Sequence, residues 1–216
     1  MTDAYDYVQI CSVNDLRENN SDSTSSLLIF RYALVYLLCF TIGLISYYVF
    51  DLPFTETLNG YVNSHFTTTF NTSSTLSNNI GLLITVSYAD IRTLALIFVA
   101  GFTMFSSVAI YSLLGYHALS VGLSSLYLVN SLTAGKLSGV NFLDVITFLI
   151  SNAAIASVLI IFSSKSRIFN DEFKRLGGRK KLIIRSKPLY HQIFTLFTVC
   201  GAILFINIIR FVLNIF

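Results

Sequence analysis

The chain's 216 residues are 54% hydrophobic and only 12% charged, with 14 Lys plus Arg against 11 Asp plus Glu and a net charge of +3. That charged share is about half of what a soluble domain carries, too little to clothe a water-facing surface, so the composition excludes a soluble globule and indicates an integral membrane protein. Nine of the 14 basic residues fall between Ser164 and Tyr190, a stretch of net +7 in a chain whose remainder sums to −4; charge confined to one gap between apolar runs is not a nucleic-acid-binding face, and no nucleic-acid partner is expected.

Residues 1–26 are polar and mildly acidic, without apolar period, and read as a flexible cytoplasmic tail. No cationic stretch leads into an early apolar core, so a cleaved signal peptide is not expected. The first crossing is the apolar run 27–50, long enough at about 1.5 Å per residue to span ~30 Å of hydrocarbon. Arg31 lies one turn inside its start, and Tyr47 and Tyr48 lie near the far interface.

From Asp51 the chain turns Thr-, Ser- and Asn-rich, yet Phe54, Leu58, Val62, Phe66 and Phe70 recur every fourth residue. That period gives one apolar helical face, and an external amphipathic segment over 54–90 is predicted, with these five residues as candidates for a partner interface. Within it, 80–87 reads as interfacial or partly inserted, ending at a break over Ser87–Asp90. A second crossing is predicted at 91–114, closed by Gly115, and a third at 116–132. Ala118 and Gly122 stand four apart, a spacing that lets helix backbones approach closely. Asn141 and Asp144 form a capped, acidic start to a fourth crossing at 141–162, in which Ala153 and Ser157 make a small-residue stripe.

The basic loop 164–190 follows, and then a fifth crossing at 191–216. Within the loop, RIFNDEFKRL reads as a surface helix ended by Gly177–Gly178. Lys- and Arg-rich short loops stay in the cytoplasm, which puts the amino terminus inside and the carboxyl terminus outside. No Lys or Arg occurs between Arg31 and Arg92, in keeping with an external location there. Arg179, Lys180 and Lys181 are the candidates for binding anionic headgroups, at roughly 1 kcal/mol per basic residue near the surface.

Chemistry has little foothold. His65, His117 and His191 have no Cys, Asp or Glu at ligand or catalytic spacing, and Cys11, Cys39 and Cys200 form no ligand motif. No catalytic, cofactor-binding or metal-binding residues are assigned, and the chain reads as a non-enzyme. Asn152 and Asn207 read as helix-packing residues that hydrogen-bond between crossings, together with Gly101, Gly115, Ala118 and Gly122, while Arg210 is expected to reach outward to the interface. Carboxylates in mid-span, which an ion relay needs, are not found by this reading.

The block ADIRTLALIFVAGFTMFSSVAIYSLLGYHALSVGLSSLYL resembles the stage II sporulation protein M family. Asp90, Ile91 and Arg92 stand at the entry, Gly101 is internal, and Gly115 and Gly122 follow; the length and five-span layout are also similar. Asp90 departs from the Asn common in that family, and the basic loop has no counterpart there. The resemblance implies a non-enzymatic membrane protein that anchors peptidoglycan hydrolases outside the membrane of a sporulating cell. The expected fold is therefore all-α, a polytopic integral membrane helical bundle of about five transmembrane helices plus the external amphipathic helix. Expected partners are a bilayer with anionic headgroups and other membrane or envelope proteins; homo-oligomerisation is left open, and no cofactor is expected. The alternative is a permease-like subunit of a multi-component transporter.

Overall fold

A computed structural model describes residues 3–49, 76–133, 142–175 and 187–213. Among them every element is helical: α1 (Asp3–Val49), α2 (Leu76–Ala100), α3 (Ser106–Thr133), α4 (Phe142–Arg175) and α5 (Lys187–Leu213). Four stretches of the described residues are long and apolar enough to cross a bilayer: Ser25–Tyr47, Ser106–Asn130, Val145–Lys174 and Leu189–Arg210. This is the pattern of a multi-pass membrane protein. Their outer faces carry exposed Phe30, Leu37, Ile45, Ile150, Phe194 and Phe205, an apolar surface that lipid covers at no hydrophobic cost.

Several boundaries differ from the sequence reading. The backbone is helical from Asp3, where a tail is expected. The break between the second and third helices falls at 101–105, not at Gly115, so the crossing expected at 91–114 is divided between α2 and α3. Gly101 N–H donates to both Ile97 and Phe98 carbonyls at 3.1 Å, which tightens the last turn of α2 and ends it. Hydropathy hides this turn because Phe102, Met104 and Phe105 are themselves apolar. Gly115 sits within α3, where an added Cβ would lie 3.2 Å from Cys39 Sγ; its lack of a side chain serves packing, not chain reversal. The break read at Ser87–Asp90 is the interior of α2, because Ser87 and Asp90 turn into the bundle and not toward water. RIFNDEFKRL is no separate surface helix: through Arg175 it continues α4.

The helices share one core built on Tyr32, Leu94, Ile97, Ile110, Leu114, Ile155, Leu159, Phe162 and Ile203, each at most 1% exposed. Helices α1 and α3 run parallel, with Tyr32 against Tyr111 (ring centroids 4.9 Å) and Gly43 against Leu119 further along. They approach most closely where Gly122 meets the Phe40 carbonyl and an added Cβ on Gly43 would stand 2.5 Å from the Leu119 carbonyl oxygen. Helix α4 is antiparallel to α3, since Arg167 reaches Ser106 while Val145 and Phe148 pack with Tyr127 and Leu128. Gln192 bonded to Ser166 and Arg210 over Phe148 make α5 antiparallel to α4. The 101–105 turn, the end of α4, the start of α5 and the start of the α1 crossing therefore share one end of the bundle. The basic residues Lys165, Arg167 and Lys174 are at that end.

Candidate functional site

Two polar clusters link the helices. The first caps the basic end. At 34 residues α4 is about 50 Å long, well beyond a ~30 Å hydrocarbon layer, and its excess turns fold against the 101–105 turn. Asn170, 1% exposed, donates through Nδ2 to the Gly101 carbonyl at 2.7 Å and the Thr103 carbonyl at 2.8 Å. These acceptors lie at and just past the end of α2, where carbonyls have no intrahelical partner. Lys174 Nζ donates to the Met104 carbonyl at 3.3 Å, and Arg167 to Ser106 Oγ at 3.1 Å. Arg167 also pairs with Asp171 one turn on, at 3.3 Å. Phe102 is wedged against Phe169 and Phe173, with ring centroids 5.0 and 6.0 Å away, and Gln192 Nε2 ties α5 to Ser166 Oγ at 2.7 Å.

The second cluster lies inside the bundle. Ten residues back from Ala100, about 15 Å along the helix, α2 presents Asp90, which is 9% exposed. Its Oδ1 lies 3.2 Å from Nε2 of His117 on α3, and His117 Nδ1 lies 3.0 Å from the Tyr36 hydroxyl on α1. With the ring hydrogen placed on Nε2, imidazole donates to the carboxylate and accepts from tyrosine, so both nitrogens are used. From α5, Asn207 Nδ2 approaches Asp90 Oδ2 at 3.5 Å, the outer limit of a hydrogen bond. One turn further, Arg210 is buried at 7% exposure with its guanidinium 4.7 Å above the Phe148 ring. Ser87 Oγ, Asn207 Oδ1 and Arg210 Nε are buried without hydrogen-bond partners among the described residues.

Sequence reasoning missed this constellation. It sought partners for His117 nearby in the chain, but Asp90 is 27 residues away and Tyr36 is 81. The available signal was an Asp inside an apolar run, hidden by reading Ser87–Asp90 as a break. Arg210 does not reach outward, because its helix face turns toward α4 and Phe148 supplies a cation–π seat. Of the helix-packing candidates, Ala118 and Gly122 are buried between α1 and α3, Gly115 faces Cys39, and Gly101 ends α2 near the Ser166 backbone. Asn207 crosses to α2, whereas Asn152 donates to Phe148 within its own helix at 2.8 Å. Ala153 and Ser157 lie on an exposed face. The interface candidates Phe54, Leu58, Val62, Phe66 and Phe70 and the headgroup candidates Arg179, Lys180 and Lys181 lie outside the described residues.

Among the described residues no group of three or more His, Cys, Asp or Glu is placed to hold a metal ion. Compared with known proteins, the chain matches no family model, no curated protein and no solved structure.

Proposed function

We propose that the chain is a non-enzymatic membrane scaffold of the cell envelope. It crosses the cell membrane five times with its amino terminus inside, and it positions partner proteins at the membrane. The observation that carries this reading is how the polar side chains are used: Asn170, Lys174, Arg167 and Gln192 each bind a neighbouring helix or turn. Groups bonded in this way fix the bundle's shape, which is what a platform for other proteins requires. The partners in this proposal are peptidoglycan-remodelling hydrolases, on the resemblance to the stage II sporulation protein M family, and they meet the chain through Phe54, Leu58, Val62, Phe66 and Phe70, ahead of the start of α2. Arg179, Lys180 and Lys181 hold the opposite face against anionic headgroups.

A second reading, a permease-like subunit of a multi-component transporter, is favoured by one observation: a carboxylate paired with a histidine inside the bundle. Ionisable groups at such depth are retained mainly where ions or substrates pass. Photo-crosslinkers placed at Leu58 and Phe66, used in native membranes, separate the two readings. Capture of cell-wall hydrolases supports the scaffold, and recovery of a cytoplasmic ATPase with the solubilised chain supports the permease.

A further inference from the structure

The pair inside the bundle has a property that neither reading uses. A carboxylate about 15 Å from the bundle's end, beside a neutral imidazole, leaves a negative charge where desolvation is costly. One additional proton turns the same pair into an imidazolium and a carboxylate that neutralise each other at their present separation of 3.2 Å. We propose that Asp90 and His117 form a proton-binding site in the membrane interior that takes up one proton from the aqueous phase.

The hydrogen bonds around the pair accommodate both forms. Without the extra proton, Asp90 is a carboxylate, His117 donates from Nε2, and Tyr36 donates to Nδ1. The incoming proton, delivered by hydronium, forms the Nδ1–H bond and leaves a water behind. Nδ1 then donates to the Tyr36 oxygen, whose own hydrogen rotates away, so the chain reverses at that link without moving a heavy atom.

The groups facing the pair come from each neighbouring helix. Helix α1 supplies Tyr36 and, one turn earlier, Tyr32, which packs on Tyr111 of α3. Helix α2 supplies Ser87, and α5 supplies Asn207 and Arg210. From α4 the described neighbour is Phe148, whose ring holds Arg210. Arg210 makes no ion pair with Asp90 among the described residues. Its positive charge acts from a distance and does not replace the proton at the carboxylate.

The test uses the full chain in detergent, labelled with 15N in its histidine rings. The His117 nitrogens should pass between a neutral-ring and an imidazolium signal as the pH is lowered. The signals are assigned by comparison with His65→Gln and His191→Gln. Infrared difference spectra across the same titration should contain an Asp90 carboxyl component that disappears in Asp90→Asn, and His117→Gln should take up one proton fewer per chain. His117 signals that do not change with pH in the unmodified protein would overturn the proposal, even if the variants failed to fold. So would an unchanged proton count in folded His117→Gln.

Discussion

At the residue scale, the weight of the interior cluster rests on charge more than on hydrogen bonding. Interhelical hydrogen bonds in membranes average about 0.6 kcal/mol, whereas leaving a buried charged group without its donor costs about 3 kcal/mol or more. On that basis His117→Leu should destabilise the solubilised bundle by about 3 kcal/mol, while the double variant Asp90→Leu/His117→Leu should recover much of that loss. Unfolding midpoints in a denaturing detergent series check this; equal losses in the two variants would contradict a charge-dominated pair. A separate expectation concerns Gly122, whose missing side chain lets α3 rest on the Phe40 carbonyl. Gly122→Ala forces two backbones apart and should cost about 1–3 kcal/mol, read from the same series. Gly201→Ala, which meets nothing within 4 Å among the described residues, should be neutral. The packing role of Gly122 could be read from its spacing to Ala118. The partnership of Asp90 with His117 could not, because it depends on how α2 and α3 fold back on each other.

At the element scale, the end of α4 closes the turn between α2 and α3. Asn170→Ala removes a donor that serves two carbonyls at once, and each buried acceptor left unpaired costs roughly 1–3 kcal/mol. The expected result is a lower unfolding midpoint together with faster proteolysis at 101–105; protection of that turn in Asn170→Ala would argue that Phe102, Phe169 and Phe173 hold it unaided. Helix content was legible in the sequence because long apolar runs admit no other membrane-spanning backbone here. The helix ends were less so. Hydropathy cannot see a turn made of Phe, Met and Gly, nor a helix that continues through Lys165 and Arg167, the latter bonded across to α3.

At the scale of the whole molecule, the parallel pairing of α1 with α3 and the antiparallel pairing of α3 with α4 put the start of the first crossing at the basic end. This arrangement was reachable from sequence through the charge distribution, since +7 of local charge lies in one stretch. The distribution does not say which helices touch. If positive charge sets orientation, replacing Arg179, Lys180 and Lys181 with Glu should produce a mixed population of orientations, detected as partial labelling of a carboxyl-terminal tag from both sides. The five-crossing arrangement with its basic end inside is the premise of the scaffold and the permease alike. It is tested by single cysteines at Met104 and Val212, in a chain with Cys11, Cys39 and Cys200 replaced, using a membrane-impermeant maleimide on intact cells. The expected result is labelling at Val212 and protection at Met104 until the membrane is opened; labelling of both from the same side would contradict it.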